Sequence, residues 1–564
     1  MCLSSSSRNA VVALGLAGIS LMESGPGAFA QSALLREGDA LPGGPAGQII
    51  GGFGVTTVND GLGYACTFTS GGPAGFVQGV WGSLDGGASA VLRLESTISG
   101  ITQTDIESFF GINRSTVCYS SSVNTATGGS NLDSVWMDDT LFALDGQPVP
   151  GSSNILVFGS RVGITSAGDP FYAAGVSATV GGPDLGRVLF RGATRLIGFG
   201  DMLPNMPTPL SDLSIDFSFR FSEDGAHYIA PLFLELPLTE DGAMSIDGSG
   251  LLLGGALVRE GQPVPASLGG DPGAWERFEH CGITAAGSYM FTGNTDGVTT
   301  TDEFIVRNGA FWLREGDTVD GQQVVDSIES AFLSGTDQLA YVWRVPDNAG
   351  NPLEALFVES TLLLKEGDPV DWDGDGVVDA GTSLLDFTGI DSISLSSAGT
   401  VYFTASVDVG GQTRQAYFAM DTNGVGTSYC AAAPNSTGAP ASIAYQGSLG
   451  VTDNRAFLVA SHLPTFAFSF FIVSRDRGFV AGPGGSSGNL CLGGAVGRYQ
   501  NQVQSSGAQG RVAIELDLTS IPQPMGAVSG LAGDTWAFST WFRDQGAGGA
   551  PTSNFSNGVE ITLQ

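Results

Sequence analysis

The chain of 564 residues carries 22 basic against 56 acidic side chains, a formal net charge of −34. So acidic a balance, with no basic run, excludes nucleic acid as a partner, because phosphate binding draws its affinity from Lys and Arg. Three His and a single Lys (Lys365) leave little for histidine metal sites or lysine chemistry, while 42% hydrophobic and 14% charged residues describe a globular chain.

Arg8 precedes the apolar stretch Ala10–Met22, which is followed by Ala28-Phe29-Ala30. A charged start, an apolar core too short to cross a bilayer and small residues at the end read as a secretory signal over 1–30, cleaved after Ala30. No later window supplies the ~18 uncharged apolar residues of a membrane-spanning helix, so no transmembrane segment is expected. The mature protein is expected outside the cytoplasm: secreted, at the cell surface or in a periplasm.

From residue 33 one phrase returns: Leu35-Arg36-Glu37-Gly38-Asp39, Val258-Arg259-Glu260-Gly261-Gln262, Leu313-Arg314-Glu315-Gly316-Asp317 and Leu364-Lys365-Glu366-Gly367-Asp368. Weaker copies sit at Leu92-Arg93, Leu144-Asp145-Gly146-Gln147 and Phe190-Arg191-Gly192, which gives seven at intervals of about 55 residues. Between copies, Gly-containing turns such as Asn59-Asp60-Gly61, Ala167-Gly168 and Ala398-Gly399 lead into period-two apolar runs, the pattern of half-buried strands. Fifty residues suffice for four short strands, so the expectation is all-β: a seven-bladed β-propeller over 33–421. The phrase at Arg36 precedes any turn signature, and a strand pair around Val401 and Tyr417 follows the last phrase. Both chain ends of this region should therefore complete one blade and pair its open edges. A phrase distributed seven times is turn chemistry before it is a catalytic set.

Within the seventh copy, Asp371-Trp-Asp373-Gly-Asp375-Gly-Val377-Val-Asp379 matches the first nine positions of an EF-hand-type loop. Asp371, Asp373, Asp375 and Asp379 would supply side-chain oxygens and Val377 a backbone carbonyl to one hard cation. Position twelve is Thr382 where such loops carry a bidentate Glu, so the expected ligand is a modestly bound structural calcium.

Near Asn423 the repeat stops. Thr465–Val473, Arg511–Leu518 and Thr535–Arg543 alternate apolar and polar residues, predicting a C-terminal β-sandwich over 428–564. Cys430 and Cys491 are its only cysteines, and export favours a disulfide between them. Cys66, Cys118 and Cys281 suggest no pairing from sequence. This tail resembles a C-terminal module of predicted secreted proteins of planctomycetes and related bacteria, in Tyr429-Cys430…Pro434-Asn435-Ser436-Thr437-Gly438, Gly488-Asn489-Leu490-Cys491-Leu492-Gly493-Gly494, Trp536…Trp541-Phe542-Arg543-Asp544 and Asn554-Phe555-Ser556-Asn557-Gly558. The Arg-Glu-Gly-Asp repeats likewise look like those of propeller-like secreted bacterial proteins. The resemblance implies export and no particular chemistry.

No catalytic set stands out. Gly484-Gly485-Ser486-Ser487-Gly488 fits the Gly-x-Ser-x-Gly pattern, but the strand–turn–helix context is missing. His227, His280 and His462 are scattered. Trp312, Trp343, Trp536 and Trp541 read as packing residues, with Trp372 set apart in the acidic loop. The first reading is a secreted or cell-surface, non-enzymatic recognition or adhesion protein that binds a protein or glycan through the propeller. A secreted carbohydrate-active hydrolase or lyase using propeller-face carboxylates is the alternative, and a structural envelope or matrix component a third.

Overall fold

A computed structural model describes residues 31–564 except 74, 127–130, 150–153, 158–160, 181, 214–218, 269–272, 348, 375–378, 390, 423–425, 439, 448, 452–453, 455, 508–509 and 547–548. The expected export signal, 1–30, lies outside the described residues. Every regular element among them is a strand or a single 3-10 turn, so the chain is all-β.

Between residues 31 and 421 the described residues form seven antiparallel sheets of four or five strands, taken in chain order. The first runs Ile49–Val58, Tyr64–Gly72, Gly75–Ser83 and Ala90–Leu94; the fifth runs Trp275–Ile283, Tyr289–Thr295, Glu303–Arg307 and Ala310–Arg314. The seventh differs in origin. Its Thr382–Phe387 and Ile393–Leu395 pair with Thr400–Val409, which pairs with Gln412–Asp421, and the outermost place is taken by Gln31–Arg36 from the other end of the region. Gln31 lies opposite Met420 and Arg36 opposite Ala416. First strands of adjoining sheets touch: Ile49–Val58 meets Ile101–Ile112, that strand meets Val162–Ile164, Trp275–Ile283 meets Val325–Leu333, and Ile393–Leu395 returns to Ile49–Val58. Apolar side chains fill the spaces between successive sheets. Tyr64, Cys66 and Trp81 of the first sheet pack with Tyr402 and Tyr417 of the seventh.

The recurring phrase has one geometry. In six copies the glycine N–H bonds a carbonyl at the first strand of the next sheet: Gly38 to Ile50, Gly146 to Leu156, Gly200 to Leu210, Gly261 to Trp275, Gly316 to Val324 and Gly367 to Leu384. That strand residue returns its own N–H to the carbonyl one position after the glycine, as Ile50 does to Asp39 and Leu384 to Asp368. All six glycines have left-handed φ, from 71° at Gly261 to 91° at Gly367, which is why the phrase needs glycine. The side chain after it caps the turn: Asp317 accepts the Arg314 N–H at 2.9 Å and Asp368 the Lys365 N–H at 2.9 Å. The phrase is thus a clamp from the outer strand of one sheet to the inner strand of the next.

Two copies differ from the sequence reading. The fourth clamp is Gly198-Phe199-Gly200-Asp201, not Phe190-Arg191-Gly192; Gly192 instead closes the hairpin between Arg187–Arg191 and Thr194–Gly198, its N–H on the Pro170 carbonyl. At the second copy Arg93 lies inside the strand Ala90–Leu94, and the link runs through Glu95 and Ser96 without glycine.

Beyond residue 426, a seven-stranded sheet containing Phe468–Ser474, Thr535–Gln545 and Gly558–Thr562 shares one core with a three-stranded sheet of Ser442–Gly447, Ala456–Ser461 and Val512–Leu516. Tyr445, Leu458 and Ile514 from the smaller sheet interlock with Phe471, Trp536 and Phe538 from the larger. Cys430 and Cys491 are disulfide-bonded, closing a separation of 61 residues. The buried Arg511 guanidinium ties this region to the seventh sheet through Asp421 at 2.7 Å, whose other oxygen accepts the Ser461 hydroxyl.

Candidate functional site

The first strands of the sheets converge on one cavity of about 150 Å³. Its wall carries six phenylalanines (Phe109, Phe110, Phe171, Phe219, Phe221 and Phe332) and, among them, three charged groups that the fold brings together from distant positions. Arg161 stands just before Val162–Ile164, Arg220 opens the short strand Arg220–Phe221, and Asp391 precedes Ile393–Leu395. Asp391 accepts from Arg161 Nη1 at 2.6 Å on one oxygen and from Arg220 Nη2 at 2.8 Å on the other. Its own carbonyl takes the Thr56 N–H, so four sheets meet at this residue. Asp391 holds left-handed backbone, φ 59°, which a non-glycine residue keeps only where its surroundings dictate it.

Burial alone would raise the Asp391 carboxyl. The guanidiniums of Arg161 and Arg220 override it and hold the group well below the usual carboxylate range. Burial lowers the Arg161 guanidinium, partly offset by Asp391. Burial also pushes His280 down to about 4 and the Cys281 thiol up to about 12, so both are neutral at pH 7. The centre of the cavity therefore holds a fixed carboxylate and two arginines. It can orient and neutralise a polar ligand, but its carboxylate is tuned away from giving or taking a proton.

The carboxyls whose affinity for protons is raised lie elsewhere. Burial lifts Glu260 and Glu315 to about 7, each with a neighbouring carboxyl, Asp241 and Asp302, adding to the effect. Burial, then Glu279, lifts Glu303 to about 8. Glu260 and Glu315 are the glutamates of the repeated phrase, at the outer strands, and the pairing of each with an aspartate recurs from the fourth sheet to the fifth. Recurrence marks these pairs as part of the repeat. Glu260 and Asp241 do border a second, largely apolar cavity of about 380 Å³ with Phe233, Leu238 and Phe278.

The acidic loop places Asp371, Asp373 and Asp379 so that a carboxylate oxygen from each lies within 4.8 Å of the others. Asp375 and Val377 lie outside the described residues. Asp371 is buried and accepts the Ser32 hydroxyl at 2.8 Å and the Gly374 N–H at 2.7 Å; Asp379 accepts the Trp372 and Asp373 N–H groups. The Thr382 hydroxyl sits against the carbonyls of Val370 and Asp379, so this twelfth position closes the loop through the backbone. The same loop seats the strand Gln31–Arg36. The Ala33 N–H reaches the Asp371 carbonyl, Gln31 Nε2 the Pro369 carbonyl and Arg36 Nη1 the Trp372 carbonyl, while the Arg36 guanidinium lies 5.9 Å from the Trp372 ring centroid. A Cβ on Gly374 would stand 2.9 Å from the Ala33 carbonyl oxygen, so this close approach requires glycine. Trp372 is half-buried against the core of the seventh sheet and packs like the other tryptophans.

The remaining sequence candidates are structural. The Ser486 hydroxyl donates to the Ser553 carbonyl at 2.6 Å, at the end of the single turn Pro483–Gly485. His227 Nδ1 pairs with Asp247 at 2.7 Å, and His462 lies near the Ser442 hydroxyl. Trp343 and Trp536 are fully buried, Trp312 packs on the sixth-sheet core, and Trp541 lies 4.9 Å from Phe470. Cys66, Cys118 and Cys281 are buried in three different sheets.

No family model matches the chain, and neither does any curated protein. Among solved structures, prolyl oligopeptidase B from Galerina marginata aligns at 8% identity and TM-score 0.28, over 75% of this chain and 56% of that enzyme, so the chain spans little more than half its length. A protein of unknown function from Dyadobacter fermentans aligns at 8% identity and TM-score 0.26, covering 70% of this chain and 100% of that one. An alpha-L-arabinanase from Penicillium chrysogenum, solved with arabinobiose, aligns at 10% identity and TM-score 0.26, covering 70% and 99%. Scores this low do not establish a common fold.

Proposed function

We propose that residues 33–421 form a seven-bladed β-propeller closed by its own first strand, followed by a β-sandwich domain over 428–564. We further infer an exported, non-enzymatic recognition or adhesion protein that takes a protein or glycan ligand through the propeller, with residues 1–30 as its export signal. The circular contacts of the first strands support the ring, and the shared core of the two C-terminal sheets supports the sandwich. The disulfide and the resemblance to secreted planctomycete-type proteins support export. One observation carries the functional reading. At the point where the first strands converge, Asp391 is held ionised between Arg161 and Arg220, an arrangement suited to holding a ligand and opposed to the raised acid of a hydrolase.

Glycan-array binding of the mature protein, run beside a polysaccharide-degradation screen, tests it. Binding without release of reducing ends is expected. Release of reducing ends that depends on a channel carboxylate would replace this reading with the hydrolase one.

Calcium on Asp371, Asp373 and Asp379 is part of the same proposal, as a structural ion that fastens the loop under the closing strand. With an affinity near 1 mM, 10 mM calcium should add about 1.4 kcal/mol to stability. Thermal unfolding should show a rise in Tm that a chelator reverses and that Asp373→Asn, at the exposed ligand, abolishes. An unchanged Tm in wild type would remove calcium from the account.

A further inference from the structure

We propose that the cavity where the first strands converge is a site for a small carboxylate-bearing ligand, whose carboxylate is taken by Arg161 and Arg220 at its centre. The assignment rests on the propeller being the ligand-binding part, with this cavity as its site, and adds the chemistry of what enters it.

Charge is the first argument. Arg161 and Arg220 share a single carboxylate, Asp391, so this trio keeps one positive charge in a place where the Arg161 side chain is 7% and Asp391 11% exposed. His280 and Cys281 beside it are neutral at pH 7 and add nothing. The other carboxylates on the cavity wall, Asp60 and Glu223, lie at the turn end: Asp60 is engaged by Arg114 at 3.1 Å, and Glu223 accepts the Ser397 hydroxyl. Beside the two arginines the local balance is positive, which favours an anionic group there over a neutral one.

Donor geometry is the second and independent argument. Among the described residues the buried Nε–H of Arg161 has no acceptor, although this residue forms part of the cavity wall. Buried donors are almost always satisfied, so this N–H calls for a water or a ligand oxygen. The Phe109 ring lies 4.8 Å from the Arg161 guanidinium carbon and covers one face of it, which holds the fork in place. Arg220, 29% exposed, donates through Nη2 to Asp391 and approaches from a different sheet. Two guanidinium forks from different sheets suit a carboxylate, with its two oxygens, better than a single-point acceptor. The volume of about 150 Å³ and the phenylalanine wall admit that carboxylate with a compact remainder of ring size.

Saturation-transfer NMR on the mature full chain, with D-glucuronate as the acidic probe, D-glucose as its neutral counterpart and acetate as competitor, tests the assignment. Transfer to glucuronate but not to glucose, displaced by acetate, is expected. Arg220→Gln, at the more exposed arginine, should weaken glucuronate by roughly tenfold or more, with Arg220→Lys falling between. Should Arg220→Gln fail to fold, the comparison of glucuronate with glucose on the wild type decides alone. Equal transfer to both sugars, no transfer to glucuronate, or glucuronate binding indifferent to Arg220→Gln in a folded variant would each overturn the assignment. Array binding confined to neutral glycans would overturn it too, while leaving recognition through the propeller intact.

Discussion

Asp391→Ala is expected to cost about 3–5 kcal/mol, because it strands two guanidiniums in the interior without their shared counter-charge. Arg161 cannot swing out to water: its side chain is 7% exposed and lies against Phe109. The backbone adds to the loss, since φ at 391 is 59° and alanine tolerates that region less well than aspartate. Asp391→Asn separates the two effects. Asparagine accepts left-handed backbone and keeps the side-chain shape, so what it loses is the charge. Urea denaturation should rank wild type above Asp391→Asn above Asp391→Ala. A loss below about 1 kcal/mol in the alanine variant would show that the arginines find other partners and that the cluster does not hold the sheets together.

Removing the Cys430–Cys491 bridge by the double change to alanine should destabilise the C-terminal sheets by about 4 kcal/mol, the chain-entropy value for a loop of 61 residues. The two cysteines fasten the start of this region to Asn489–Leu492, whose Leu492 packs against Ile472, Ala537 and Phe555. Without the bridge, the unfolded segment regains the freedom the cross-link removed, while the folded core of Trp536, Phe538 and Tyr445 stays in place. Amide exchange of Thr535–Gln545, followed against urea, should show opening at lower denaturant with an unchanged native spectrum. Equal midpoints for the bridged and unbridged proteins would mean that the stability of this region comes from its packing alone.

Much of the β architecture is legible in the residues because its repeated clamp has a strict chemical need. A left-handed φ calls for glycine, and the N–H exposed at the turn calls for Asp or Gln one position later. The misplaced fourth copy shows which letters matter. Gly198-Phe199-Gly200-Asp201 keeps only the second glycine and the aspartate, so the Arg-Glu that draws the eye elsewhere is dispensable, and Phe190-Arg191-Gly192 imitates it by chance at a hairpin. The acidic loop was readable for the same reason: its carboxylates lie close together in sequence. The arginine–aspartate cluster of the cavity was not. Arg220 and Asp391 are 171 residues apart, and each is an ordinary surface-type residue until the curvature of successive sheets turns it inward. The one local hint was an arginine directly ahead of the apolar run Val162-Gly163-Ile164.

Seating Gln31–Arg36 beside Gln412–Asp421 also sets the timetable of folding. The Gln415 N–H meets the Glu37 carboxylate across a separation of 378 residues. On a ribosome the earliest of these strands must wait, unpaired, until nearly the whole of the region has been synthesised, with its hydrogen-bonding edge open to any passing β-strand. Such distant pairing makes maturation slow, and it marks the hexapeptide Gln-Ser-Ala-Leu-Leu-Arg as the segment through which two immature copies would exchange partners or a chaperone would take hold.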